Sequence, residues 1–243
     1  MRDKEATAAS AYNYDEAIPP GFYDEIYRRK AGIRYSWHHL KFRAVAARLA
    51  PATRILDIGC GPGTFIGNYL GAAECLGIDL SASQIDYANR HYGNRQHRFS
   101  TQSPESLLDA DERFDAIAMI ELIEHLTPPE ALRLLALVRR LLSPDGTLVL
   151  TTPNYGSLWP LIELGVNFFS RVRYERQHIN RYRRGRLAAT LEEAGFRSVT
   201  METIVGFAPF AALLGSRPVA WVDTIERHTT RGAGNLLLAV ARR

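Results

Sequence analysis

The chain has 243 residues, 46% of them hydrophobic, a formal net charge of +4 and a sequence pI of about 9.2. That is apolar content enough for a full core, and a length that predicts one α/β domain with additions. Two cysteines, Cys60 and Cys75, exclude a disulfide framework, and a basic excess this mild does not argue for a nucleic-acid partner.

In chain order, residues 1–18 are polar and expected to be loose, and Met1-Arg-Asp-Lys-Glu lacks the apolar core of a signal peptide. No uninterrupted apolar stretch is long enough to span a bilayer. With Cys60 inside a glycine turn, a reduced, cytoplasmic setting is expected. Of the 30 basic residues, three are lysines and 27 arginines, a bias that reads as genome composition. From Phe22 to Ala50 the apolar spacing is helical (Phe22, Ile26, Ile33, Trp37, Leu40, Leu49), and Pro51 ends it. Residues 1–50 are therefore expected to form an N-terminal helical cap on a domain spanning 51–243. On the cap lie Tyr23, Tyr27, Tyr35, Trp37, His38 and His39; these aromatics are packing candidates, and either histidine is a second acid–base candidate.

Arg54–Ile58 reads as a first buried strand, followed by a helix over 64–70. Cys75–Asp79 is a second strand, Ser81 an N-cap for a helix over 84–92, and Arg98–Thr101 a third strand. Phe114–Ile120 is a fourth, Pro129–Leu142 an amphipathic helix, and Leu148–Thr152 a fifth strand entered through the turn Ser143-Pro-Asp-Gly146. Arg186–Ala194 is a helix stopped at Gly195, Ser198–Ile204 a sixth strand, and Asn235–Val240 the last. Lid insertions are expected near 155–185 and 207–230. Strands alternating with helices predict an α/β fold with a doubly wound, mostly parallel sheet, and a ligand site where strand order reverses.

The first strand runs into Gly59, Gly61 and Gly63, where glycine lets the backbone approach a ligand closely. A dinucleotide fingerprint wants glycine at the sixth position, which here is Thr64. Asp79 ends the next strand, where a carboxylate grips two ribose hydroxyls. The run Asp57-Ile-Gly-Cys-Gly-Pro-Gly63, with Gly77-Ile-Asp79, resembles motif I and the acidic post-I motif of the class I S-adenosylmethionine methyltransferases. The resemblance covers about residues 50–207 and 234–243. It implies a seven-stranded Rossmann-like sheet whose last strand hairpins antiparallel against the sixth, and S-adenosylmethionine as cofactor. It assigns Asp57, Gly59, Cys60, Gly61 and Gly63 to the methionine end and Asp79 and Leu80 to the nucleoside. The family's acid after strand three has no clear match; Ser103 and Glu105 are the candidates, separated by Pro104, which has no N–H to offer adenine. Met119 and Ile120 are expected against the cofactor.

Glu121, Glu124 and His125 share a face at helical spacing and suit Mg²⁺, Mn²⁺ or Zn²⁺. The pattern Glu121-x-x-Glu124-His125 resembles the ubiquinone-pathway O-methyltransferases, and also the small-RNA 3′-terminal 2′-O-methyltransferases. Both resemblances imply an acceptor held beside the cofactor, with His178 the candidate fourth metal ligand. Without a metal, His125 acts as base or orients the acceptor and Glu121 contacts its hydroxyl. The expectation is O-methylation of a small or lipid-like acceptor; RNA methylation and a non-catalytic cofactor-binding protein are the alternatives. Between Trp159 and Arg186 lie an apolar segment (Leu161–Val166, Phe168, Phe169) and Arg171, Arg173, Arg176, Arg181, Arg183, Arg184 and Arg186. Three readings stay open for the arginines: an acidic substrate, peripheral membrane contact, or a solvated face.

Overall fold

The run Arg54–Ile58, with β-branched Ile55 and Ile58, is strand β1, buried at all but its first residue. It is joined by β2 (Glu74–Ile78), β3 (His97–Ser100), β4 (Phe114–Ile120), β5 (Leu142–Pro153), β6 (Arg197–Ile204) and β7 (Leu236–Arg242). Together they form one seven-stranded sheet of order β3-β2-β1-β4-β5-β7-β6. Strands β1 to β5 run parallel, and β7 lies antiparallel between β5 and β6. This is the expected class I methyltransferase fold, with strand order reversing beside β1. The structure is a computed structural model describing residues 18–50, 52–169, 178–229 and 234–243. Residues 1–17, Pro51, Arg171, Arg173 and Arg176 lie outside the described residues, as do the side chains of Val166, Phe168 and Phe169.

Helices α1 (Phe22–Arg28), α2 (Gly32–Leu49), α3 (Thr64–Tyr69), α4 (Ala82–Tyr92) and α5 (Pro104–Asp109) precede β4. After it come α6 (Pro128–Leu141), α7 (Trp159–Phe169), α8 (Arg184–Glu193) and α9 (Ser216–Thr229). Local chemistry sets their ends. Ser81 caps α4 by accepting the Gln84 N–H at 3.2 Å. Thr127 and Glu130 form a capping box at α6, which turns Ala131, Leu135 and Val138 into the core. One apolar cluster, including Leu56, Leu135 and Leu187, fills the α6–α8 face of the sheet, and another, including Val45, Ile66 and Ala88, fills the opposite face.

Several expectations need correction. The N-terminal helix breaks at residues 29–31, where Lys30 has φ 50° and Gly32 φ 86°. Ile18 is buried rather than loose, because the Gln84 side-chain amide donates to the carbonyls of Ile18 and Pro19. Residues 143–146 are not a turn ahead of β5. Pairing passes from Phe114–Leu142 to Ala116–Thr147, so they bulge out within the strand. Helix α5 has no hydrophobic periodicity to announce it; Ser103 caps it and Pro104 fills its first position. The insertion after β6 is ordered as a 3-10 segment, Ala208–Leu214, followed by α9. Leu40 of α2 packs with Val205, Ala208 and Val219 in a third cluster, so α2 and the segment after β6 pack against each other.

Candidate active site

Above the C-terminal ends of β1, β2 and β4 lies a cavity of about 770 Å³, roofed by α1, α2 and the start of α7. One end is the glycine turn. The N–H groups of Gly59 and Cys60 donate to the Ile78 carbonyl at 2.8 and 3.1 Å, tying the turn to β2. Gly59 and Gly61 have φ of 77° and 51°. A Cβ on Gly61 would meet no atom of the described residues within 4 Å, so this backbone faces open space. Gly63 differs. It does not line the cavity, and a Cβ there would meet the Phe99 ring at 2.8 Å, so its missing side chain serves packing between α3 and β3.

Asp57 is buried and lines the cavity, and its Oδ1 has no hydrogen-bond partner among the described residues. Burial, with the neighbouring Asp79 charge, pushes its carboxyl up to about 7. Asp79 accepts the Gly61 N–H at 2.8 Å on one oxygen and the Ser81 N–H at 2.9 Å on the other. A carboxylate has about four acceptor positions, so each oxygen keeps capacity for a ligand hydroxyl. Leu80 lines the cavity and is 94% exposed, presenting a bare apolar face. Ser103 and Ile120 also line it; Glu105 does not, being an exposed residue in the first turn of α5. Gln102 stands at the rim instead, and Met119 is buried away from the cavity.

At the other end, the expected constellation divides. Glu121 sits at the end of β4 with φ 52°, a left-handed conformation that a non-glycine side chain adopts at a cost. Its carboxylate is bound by the buried ammonium of Lys41 from α2. Burial raises the Glu121 pKa, but the charge and hydrogen bond of Lys41 outweigh it, so the carboxyl lies below its ordinary value. Glu124, His125 and His178 form a separate group, with ligand-type atoms all within 4.8 Å of one another. Glu124 is buried; one oxygen accepts from Thr152 Oγ1 at 3.0 Å and the other, Oε1, has no partner among the described residues. Burial and the Glu121 charge push its carboxyl up to about 8.

His178 reaches this group because the Asn180 N–H donates to the Glu124 carbonyl at 2.9 Å, docking its segment onto the turn Ile123–His125. Its Nδ1 lies 2.8 Å from Glu163 Oε1 and 3.0 Å from the Tyr155 hydroxyl, which donates to Glu163. Burial raises the Glu163 pKa, and the bonds from His178 and Tyr155 with the charge of Arg181 more than offset this. Of the cap histidines, His38 lines the cavity, while His39 turns away to the Tyr69 hydroxyl at 2.6 Å. Burial and the Lys41 charge lower His38 to about 3, leaving a neutral imidazole.

Thus Asp57, Gly59, Cys60, Gly61, Asp79, Leu80, Ser103, Ile120, Glu121, Glu124, His125 and His178 share one cavity, and Gly63 and Glu105 stand outside it. Cys60 is buried with its thiol pushed well up by burial, so it contributes shape. Sequence reasoning missed Lys41, Arg34 and Glu163. The first was signalled as one of three lysines among 27 arginines, and the last as the lone acid in an apolar run.

A model of methyltransferase domains matches residues 27–201. A ubiquinone biosynthesis O-methyltransferase of Xanthomonas campestris pv. campestris is 34% identical over 135 residues, covering 53% of this chain and 55% of that protein. The protein of the same description from Xanthomonas axonopodis pv. citri is 31% identical over 167 residues, covering 65% and 69%. The chain thus spans only a little over half the length of the first relative. Among solved structures, a SAM-dependent methyltransferase from Archaeoglobus fulgidus superposes with TM-score 0.61 at 18% identity, covering 91% of this chain and all of that one. A Thermotoga maritima SAM-dependent methyltransferase, described as a possible histamine N-methyltransferase, gives 0.63 at 17% identity, covering 91% and 95%. At such identities these structures speak to the fold.

Proposed function

The chain belongs to the methyltransferase-domain family, and we propose that it moves a methyl group from S-adenosylmethionine to a hydroxyl oxygen of a small or lipid-like acceptor. The observation that carries this reading is one cavity holding the Gly61–Asp79 cradle at one end and His125 with His178 at the other. The cradle fits the cofactor: Gly61 is open to a ligand, and the partnerless Asp57 Oδ1 suits an ammonium group. In this reading Asp79 takes the ribose hydroxyls, Leu80 lies against adenine, and Arg34 at the cavity wall faces the methionine carboxylate. Arg34 takes that role because Lys41, the other lysine or arginine lining the cavity among the described residues, already binds Glu121.

When bound, the cofactor supplies a sulfonium-activated methyl for displacement by an oxygen nucleophile. His125 holds the acceptor hydroxyl and receives its proton; His178, fixed through Glu163, lines the same pocket and excludes water. Glu121 positions the end of β4 through Lys41. The O-methyltransferase description of the similar proteins supports oxygen as the acceptor atom. The test is calorimetry with S-adenosylhomocysteine on Asp79→Ala, followed by transfer of labelled methyl to a lipid extract or to RNA. Unchanged affinity would refute the ribose assignment. Label in RNA alone would replace the small-acceptor reading with the nucleic-acid one.

A second reading adds a divalent cation at Glu124, His125 and His178. Their mutual distances and the partnerless Glu124 Oε1 support it; Glu121 is outside the group. Such an ion would hold the acceptor oxygen and lower its pKa. Methyl transfer that survives exhaustive chelation and ignores added Mg²⁺ or Zn²⁺ would reject it.

A further inference from the structure

Behind the wall of the acceptor cavity lies a second recess of about 570 Å³, lined by Tyr155, Pro160, Glu163, Arg181, Arg183 and Arg186 among others. The wall itself is one layer thick. His178 lines the inner cavity, and the Glu163 it binds lines the outer recess.

Five arginines elsewhere are paired with acids: Arg43 with Asp223, Arg48 with Glu202, Arg54 with Glu112, Arg98 with Glu74 and Arg113 with Asp111. Among the described residues, none of Arg181, Arg183 and Arg186 has a carboxylate in such a pair. Among the described residues the carboxylate in their recess is Glu163, which is already engaged by the Tyr155 hydroxyl and His178. Two of the guanidinium groups are nonetheless oriented. Arg181 lies over the Tyr155 ring and Arg186 over the Tyr182 ring, each at 5.5 Å, and Arg186 donates to the Arg181 carbonyl at 3.2 Å. Arg184, next in sequence, turns away and donates to the Met201 carbonyl.

Three arginines around one recess, two of them held over tyrosine rings, with its described acid already engaged, make a site for a compact dianion. Guanidinium forks match phosphate oxygens two at a time. The volume is that of a small-ligand pocket rather than an extended strand-binding groove. We propose that Arg181, Arg183 and Arg186 bind a phosphate group, carried by the methyl acceptor or by a lipid headgroup beside it. The inference rests on the methyl-transfer reading for what lies in the inner cavity; the recess and its charge do not depend on it.

The experiment uses the full chain saturated with S-adenosylhomocysteine and titrates phenyl phosphate, with phenol as the uncharged control. Phenyl phosphate binds and phenol does not, and Arg181→Ala with Arg186→Ala weakens binding by about tenfold or more, the loss expected for one or two charge-assisted hydrogen bonds. Arg48→Ala, in an exposed pair far along α2, leaves it unchanged. Affinity for S-adenosylhomocysteine stays constant in all variants; if the parent protein fails to bind it, the methyl-transfer reading falls while the phosphate result stands. Flotation with phosphatidylcholine vesicles, with and without phosphatidylglycerol, separates the sources. Arginine-dependent binding to the anionic vesicles alone assigns the phosphate to a lipid headgroup. Equal binding of phenyl phosphate by parent and double variant overturns the proposal, as does arginine-dependent capture of an RNA oligonucleotide without phenyl phosphate or vesicle binding.

Discussion

The ammonium of Lys41, buried on α2, closes on the carboxylate of Glu121, which stands in a left-handed conformation at the end of β4. The pair ties the cap to the strand that ends in the active cavity, and it removes Glu121 from the group of Glu124, His125 and His178.

Removing one partner strands the other charge in a buried place. Lys41→Met is expected to cost about 3 kcal/mol in urea unfolding, because an unpaired buried charge is costlier than the pair itself. Adding Glu121→Gln should return most of that stability. A double variant as unstable as the sum of the singles would show that the two side chains do not interact.

Asp57 sets a pH dependence. Its carboxyl is raised to about 7, so between its ordinary acidic value and pH 7 the folded protein holds more protons than the unfolded one. Its contribution to stability therefore falls as pH rises through that window. A cofactor ammonium favours the ionised form, so binding of S-adenosylhomocysteine should weaken below pH 7 and release a proton there. Calorimetry in buffers of different ionisation enthalpy measures that proton. Its persistence in Asp57→Asn would point to another group.

Gly61 and Gly63 should respond differently to alanine. Both have positive φ, which costs alanine about 1 kcal/mol. At Gly61 the new methyl projects into open space, so the fold survives and cofactor affinity is lost. At Gly63 it meets Phe99 and Ala88, so thermal stability drops first. Equal melting temperatures for the two variants would contradict this division.

Asp24, fully buried on α1, accepts from Thr64 Oγ1 and the Tyr87 hydroxyl, both at 2.9 Å, and from the Tyr92 hydroxyl. It pins the cap to the first turn of α3, at the edge of the cofactor cavity. Asp24→Ala leaves these hydroxyls without their acceptor and is expected to cost about 3 kcal/mol. It should also raise the KM for S-adenosylmethionine more than it lowers kcat, which steady-state kinetics resolves.

The alternation of strands and helices was legible because period and punctuation are local: Ile55 and Ile58 are β-branched, Ser81 caps, and the glycine turn needs backbone angles that few residues allow. The cradle around Gly61 and Asp79 was legible for the same reason, since consecutive strands in a parallel sheet bring their ends together. Helix α5 and the bulge in β5 were not, because Pro104 and Ser143–Gly146 carry the same signals in a cap, a bulge or a turn. Three identical-looking glycines received one role by sequence; Phe99, arriving from β3, gave Gly63 another.

At the acceptor end, helical spacing put Glu121, Glu124 and His125 on one face, but Glu121 has a left-handed φ and the turn holds only Ile123–His125. Which of them act as a group was decided by partners from elsewhere in the chain. Lys41 arrives 80 positions upstream of Glu121, and His178 comes in with Glu163 behind it. A side chain's role follows from the charge and hydrogen bonds it meets after burial, and those partners are set by tertiary packing rather than by spacing along the chain.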